Sequence, residues 1–227
     1  MTHVLLFRLQ APMQAWGVQS YFSVRDTTRF PTRSGMIGLI CGALGLPRES
    51  DLSGFDEFRF GVRVDRPGVM MRDFQAAQEI YLGDGKVSEN PTIGNRYYLA
   101  DAVFLAGIEG ENLDQLVRFE AALKSPKWLL YLGRRGFPLS KPVWLFEGLQ
   151  RDVSLEQALR SFPFLLPEQY QSADDQLQLV LETPTGPIVQ RDCPRSFQER
   201  TFVQRRLKVF LIPVPDLCLT EVANVPE

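Results

Sequence analysis

Three arginines at four-residue intervals, Arg25, Arg29 and Arg33, stand in the stretch RDTTRFPTRSGMIGLICGALGL, residues 25 to 46. That spacing would share one helix face, but Pro31 lies between them. Proline inside a helix removes a backbone donor and clashes with the preceding turn, and it drives Phe30 out of the helical region. The arginines therefore belong to a loop that runs into a helix. Ser34 suits the N-cap of that helix, and Ser34 and Gly35 together allow close approach to its backbone. A helix start exposes unpaired N–H groups and carries about half a positive charge, so it attracts anions. The combination suits phosphate. Pairing of the same arginines with carboxylates elsewhere in the fold is the alternative.

A second constellation is YLGRRGFPLSKP, residues 131 to 142. Gly133 and Gly136 flank Arg134 and Arg135 after a strand-like run, and glycine lets backbone approach a ligand closely. The phosphate loop pattern GxxxxGK[ST] and the dinucleotide pattern GxGxxG are both missing. A third is the segment from about residue 71 to 98, where Gln75, Gln78, Asn95, Arg96, Tyr97 and Tyr98 mix amides, a cation and rings. Unstacked RNA bases are held by such mixtures, although Tyr98 and Leu99 would also serve to begin a core strand. Catalysis has little to work with. His3 is the one histidine, remote in sequence from both arginine loops. No GxSxG elbow occurs and no carboxylates stand at metal-ligand spacing, so no catalytic residue, metal or cofactor is expected.

Bulk composition frames these sites. The chain has 227 residues, 44% apolar and 23% charged, with a net charge of −2. It is long enough for one full core, and the balance of charge by itself speaks against nucleic acid. The kind and placement of charge speak otherwise. Arginines number 20 against five lysines, and the guanidinium fork matches phosphate better than an ammonium does. Residues 190–208 hold six basic and two acidic residues, so charge is segregated and one face can be basic. Cys41, Cys193 and Cys218 are widely spaced and odd in number, which excludes a zinc ribbon or disulfide framework and fits a reducing cytoplasm. Neither a signal peptide nor a membrane span is present in the pattern.

The elements that must position these residues read as a series. HVLLFRLQ predicts a buried first strand, and Met36 to Leu46 a helix closed by Gly45 and Pro47. FDEFRFGVRVDR alternates as a strand, Asp84-Gly85 marks a hairpin turn, and RYYLADAVFLAGI reads as one further strand. NLDQLVRFEAALKS is a helix capped by Asn112, and KWLLYLG a strand. A short helix at SLEQALRSF and strands at DQLQLVLET and RRLKVFLIPV complete the chain. The order matches a ferredoxin-like (RRM-like) βαββαβ palm of α+β class with helices on one sheet face and the other face free to bind. The whole chain, 1–227, is one such domain with a hairpin thumb inserted at about 71–98 and additional C-terminal strands.

The blocks LLFRLQAPMQAWG, TRFPTRSGMIGLICGALG, RYYLADAVFLAG, PKWLLYLGRRGFPLSKPVW and RDCPRSFQERTFVQRR resemble, in order and over most of the chain, those of the Cas-five family of repeat-associated RNA-binding proteins in Cascade, the subtype I-E CRISPR surveillance complex. Where the family often has Asp-aromatic-His, this chain has Asp73, Phe74 and Gln75, so no ionisable ring is implied there. The resemblance implies a non-catalytic antiviral-defence subunit, cytoplasmic and membrane-free, within a heteromeric complex. It would grip the repeat-derived 5′ handle of the guide CRISPR RNA beside the terminal backbone subunit and the large subunit. Arg25, Arg29, Arg33, Ser34, Gly35, Gln75, Arg96, Tyr97, Gly133, Arg134 and Arg135 are the expected RNA-binding residues. The rival readings are a metal-independent endoribonuclease that processes the guide precursor, as in the subtype I-C sibling, and a small-molecule nucleotide-binding domain.

Overall fold

Strand β1 (His3–Gln10) is apolar on both sides because it is covered on both sides. Leu5, Phe7 and Leu9 enter one core cluster, and Val4 and Leu6 enter another. A computed structural model describes residues 1–18, 23–81, 83, 85–88, 90–167 and 176–215. Its elements continue as β2 (Met13–Gln14), β3 (Val24–Arg25), α1 (Arg33–Leu44), β4 (Arg59–Arg66), β5 (Val69–Ala77), β6 (Thr92–Ala100), β7 (Val103–Gly110) and α2 (Leu113–Lys124). Strand β8 (Trp144–Gln150), helix α3 (Leu155–Ser161), β9 (Gln176–Glu182), β10 (Ile188–Ser196) and β11 (Thr201–Pro213) follow. The fold is mixed α+β, with a seven-stranded sheet in the order β10-β11-β9-β4-β7-β1-β8, every neighbouring pair antiparallel.

Helices α1 and α2 pack on one face of this sheet, with Met36, Ile40, Leu116 and Phe119 in the first cluster. The second face, expected to be free, is covered by α3 and residues 162–166, whose Leu155, Leu159, Phe162 and Phe164 meet Leu105 and Leu179. Burial on both sides explains why β1 and β7 read as unbroken apolar runs. Helix α1 is capped not by Ser34 but by Thr32, two residues earlier, whose Oγ1 accepts from the Gly35 N–H at 3.2 Å. It closes on Gly45 at φ 70°, where glycine meets no Cβ penalty. Helices α2 and α3 are capped by Asn112 and Ser154.

Three strand expectations change. RYYLADAVFLAGI is two strands, β6 and β7, because Asp101 takes φ 56° and its N–H turns to the Pro12 carbonyl. KWLLYLG is not a strand of the sheet. The Lys127 N–H bonds the Ala43 carbonyl at the end of α1, and only Tyr131 forms a bridge, to Pro138. The edge beside β1 is taken instead by β8, which the sequence reading did not separate, nor did it separate β10. Strands β5 and β6 pair from Val69–Ala100 to Ala77–Thr92. They form a hairpin exposed along nearly all of β5. Its far end holds the Tyr81–Val87 bridge; Asp84 of the expected turn lies outside the described residues. The hairpin joins the body through β2 and β3, which both pair with β6. Cys41 and Cys193 are buried free thiols, and burial pushes Cys41 up to about 11; Cys218 lies outside the described residues. Among the described residues no helix is long and apolar enough to cross a membrane.

The second face is fastened by one buried ion pair. Arg63 and Asp65, two apart on β4 and so on one face, are fully buried and joined bidentately at 2.6 and 2.9 Å. The remaining Arg63 donors reach the carbonyls of Leu159, Phe162 and Pro163, and Asp65 accepts from the Leu165 N–H at 2.9 Å. Removing one member of such a pair leaves a buried charge uncompensated, at a cost of about 3–5 kcal/mol. Arg63→Ala should therefore lower the thermal midpoint by about 6–20 °C for a chain of this size. Circular dichroism melting would show it, and a midpoint within a degree of wild type would deny the clasp its role.

Candidate nucleic-acid interface

The start of α1 already has its anion. Asp192 of β10 accepts the Arg33 backbone N–H at 2.8 Å, and the same carboxylate holds the Arg205 guanidinium at 2.6 and 2.7 Å. The Arg33 side chain is buried, bonded to Glu182 at 2.6 Å and to the Phe55 carbonyl at 2.8 Å, with its guanidinium 4.8 Å from the Phe60 ring centroid. Glu182 also faces Arg205, at 3.5 Å. Ser34 bonds Thr32, and a Cβ at Gly35 would stand 2.7 Å from the Trp16 ring. The Arg33 side chain, expected around a phosphate, is thus taken up by an ion-pair network that borders a cleft of about 560 Å³ lined also by Asp56, Glu57, Arg59 and Arg206. Ser34 and Gly35, expected around the same phosphate, pack against Thr32 and Trp16. At this helix start an internal carboxylate supplies the negative charge, and Arg33 follows the alternative of pairing with carboxylates elsewhere in the fold. Arg29 is exposed on the loop before it.

A second cleft has three arginines against one carboxylate. Arg25, Arg96, Gly133 and Arg134 line one cleft of about 370 Å³, together with Ala15, Gly17 and Asp26. Register builds it. Strand β3 runs parallel to β6 and sets Arg25 opposite Arg96. The turn at residues 131–138 adds Arg134, held by a bond from Nη2 to the Tyr97 carbonyl at 2.7 Å and stacked 5.3 Å from the Phe137 centroid. That turn cannot shift. Gly133 adopts φ 88° and a Cβ there would overlap the Ala15 carbonyl oxygen, so only glycine fits. Ala15 in turn is fixed by its N–H to the Leu132 carbonyl, and the neighbouring Trp16 is buried and bonded through Nε1 to Gln14.

Electrostatics agree with the geometry. Partial burial and the nearby charges of Arg96 and Arg25 push the Arg134 guanidinium below its usual range, while Asp73 and Asp26 oppose the shift. An arginine in this setting stays charged. A cleft that gathers three guanidinium groups against the one carboxylate of Asp26 keeps an excess of positive charge, and guanidinium forks offer an anion several donors at once. Residues on a strand alternate between faces. Arg96 therefore shares a face with its cross-strand partner Asp73 and with Gln75, whose Nε2 donates to Asp73 at 2.6 Å. Tyr97 has the opposite face and contributes its carbonyl, not its ring, while the Tyr98 ring packs 5.8 Å from Phe137. Arg135 is exposed beside the cleft without lining it. Sequence reasoning missed Asp26 and Asp73; their charge stood next to Arg25 and Gln75, but only the register shows that they answer Arg134.

His3 is distant from this chemistry. It begins β1, where its Nδ1 accepts from the Asp152 N–H at 3.3 Å, and the cleft residues follow the strand's other end, about 23 Å away at 3.3 Å per residue. Among the described residues no group of three or more histidines, cysteines and carboxylates is placed to hold a metal.

Comparison with known proteins agrees in direction. The family model described as CRISPR-associated protein (Cas_Cas5) matches residues 4–207. The CRISPR system Cascade subunit CasD of Escherichia coli strain K12 is 37% identical over 162 residues, which cover 64% of this chain and 71% of that protein. A crystal structure of a Cas protein superposes with a TM-score of 0.76 at 38% identity, covering 93% of this chain and 97% of that one. A chain of a CRISPR RNA-guided surveillance complex superposes with a TM-score of 0.78 at 31% identity, covering 97% and 95%. With arginine chemistry, fold and sequence in accord, this chain belongs to the CRISPR-associated Cas5 family.

Proposed function

We propose that the chain is a non-catalytic, RNA-binding subunit of a type I-E Cascade complex that grips the 5′ handle of the guide CRISPR RNA in the Arg25–Arg96–Arg134 cleft. The convergence of those three arginines on one open site carries the reading. Likeness to a Cascade subunit and to a chain of an RNA-guided surveillance complex supports it. Phosphates occupy the cleft between the guanidinium groups, and Gln75 and Asp73 face the adjoining nucleotide from the hairpin. The complex is heteromeric and works in the cytoplasm, with the terminal backbone subunit and the large subunit as neighbours. The central strands β4-β7-β1-β8, with α1 and α2 between them in sequence, have the order of a ferredoxin-like palm, and the β5–β6 hairpin is its thumb.

Three expectations follow from this assignment. Arg25→Ala, Arg96→Ala and Arg134→Ala should each weaken handle binding about equally across RNA sequences and reduce the salt slope by about 0.7. Arg33→Ala should instead lower the melting temperature and leave that slope alone. Fluorescence anisotropy over a salt series reads both, and a triple cleft variant with wild-type affinity would remove the cleft from the function.

Repeat RNA incubated with the purified chain should stay intact, with or without divalent metal, because arginine neither gives nor takes a proton at neutral pH. Cleavage at a defined phosphodiester that His3→Ala abolishes would favour the endoribonuclease reading.

Replacing residues 79–91 by a short Gly-Ser turn should leave the melting temperature within a few degrees, since this end of the hairpin lies outside the core. The same change should reduce recovery of the assembled complex on co-expression. Normal assembly with the trimmed hairpin would deny the thumb its gripping role.

A further inference from the structure

The basic segment at residues 190–208 is not absorbed by the cleft. Strands β10 and β11 form the far edge of the seven-stranded sheet, and two of their cations are internal or paired: Arg205 is buried against Asp192, and Arg195 pairs with Asp56. Others face outward on the side of α3. Lys208 and Arg160 of α3 both stand over the Phe210 ring, 5.5 and 5.0 Å from its centroid. Phe210 packs against the second core cluster, which fixes the side on which this group lies. Arg206 is two residues before Lys208, on the same face and about 6.6 Å from it along the strand. On β10, Arg191 stands exposed within the register shift between Gln190 and Cys193, at the same sheet edge.

All four cations are exposed, and the contacts that orient them leave most of the charge in place. Arg191 donates through Nε to the Phe202 carbonyl and Arg206 through Nη1 to the Gly186 carbonyl. Such bonds fix a guanidinium without neutralising it. Of the four, Arg160 meets a carboxylate, that of Glu156 at 2.8 Å.

We propose that this strip, Arg160, Arg191, Arg206 and Lys208, is a second nucleic-acid surface, and that its partner is the phosphate backbone of duplex DNA. Charge selects a polyanion, because the strip is strongly basic in a chain whose net charge is −2. Form selects a duplex. Single-stranded nucleic acid is held by aromatic platforms on which bases stack, but the one ring in the strip, Phe210, is roofed by two cations. Cations fixed at strand spacing suit a stiff, regular row of phosphates. Contacts of this kind orient a protein on DNA and carry no sequence preference. The assignment is independent of the arginine cleft, which lies on the four-stranded sheet and the turn at residues 131–138.

The full-length chain tests it, with a short DNA duplex and a single-stranded RNA of equal length titrated between about 50 and 200 mM salt. R191A/R206A/K208A should weaken duplex binding roughly tenfold and reduce its salt slope by about 2.7, near 0.9 for each lost contact. It should leave RNA affinity within about twofold, whereas R25A/R96A/R134A should do the reverse. R206A and K208A taken singly, each an exposed change, should each reduce the duplex slope by about 0.9. An unchanged duplex slope in the folded triple variant overturns the proposal. So does a loss on RNA equal to that on DNA. Failure of the cleft reading is separate, seen as normal RNA binding by the cleft variant.

Discussion

Asp192 joins what the chain separates most widely. Its carboxylate accepts the Arg33 N–H that opens α1 and neutralises Arg205 on β11, while Glu182 of β9 binds Arg33 and faces Arg205. Four charges from α1, β9, β10 and β11 are thereby paired under low solvent exposure, with the Arg33 Nε left without a hydrogen-bond partner. Ion pairs of this type contribute little net energy over an apolar core of equal volume, but they tolerate few alternative arrangements. The register of β10 on β11, the angle at which α1 enters, and the path of the preceding loop are all held to one solution. That loop then carries Trp16 and Thr28 into contact, so that Arg25 emerges on the hairpin side and Arg33 on the core side. One arginine series is split between a buried and an exposed member, the buried one held by Glu182 through its side chain and by Asp192 through its backbone.

Much of the fold was legible because local signals agreed with tertiary use. Strand β1, α2 with its Asn112 cap, α3 and β9 appear where periodicity and capping put them, and α1 keeps its Gly45 stop although its cap is Thr32 and not Ser34. The failures concern choice of neighbour. KWLLYLG has the apolar content of a strand, and Leu130 and Leu132 are indeed buried, but the segment leans on the end of α1 while β8 takes the sheet edge. No periodicity distinguishes those two outcomes. Coverage of the second face was illegible for a related reason: it depends on Arg63, a charged residue that reads as exposed until its partners are known.

The candidate site divides in the same way. Gly133 and Arg134 were legible because a glycine-flanked arginine pair at a chain turn has few purposes. Arg33 looked equally available, yet its two carboxylate partners lie 149 and 159 residues further on. Long-range pairing is invisible to spacing, so a sequence can identify cations suited to phosphate without separating the free from the occupied. Tyr97 shows the limit at finer scale. Its presence beside Arg96 was meaningful, but strand alternation sends its ring away and leaves its carbonyl to orient Arg134.

The bond from Arg134 to the Tyr97 carbonyl spans two parts of unequal stiffness. Arg134 rises from a turn wedged against Ala15 in the body, whereas Tyr97 and Arg96 belong to a ribbon whose β5 is exposed along nearly all its length and which is tied laterally by β2, β3 and the Tyr98–Phe137 ring contact. Segments with few buried contacts open at a lower free energy than the core they join. An anion seated between Arg134 and Arg96 therefore does more than neutralise charge: it couples the orientation of the ribbon to that of the body. The cost of ordering that joint falls on the ligand, so affinity in the cleft and rigidity of the projecting arm are two readings of one equilibrium.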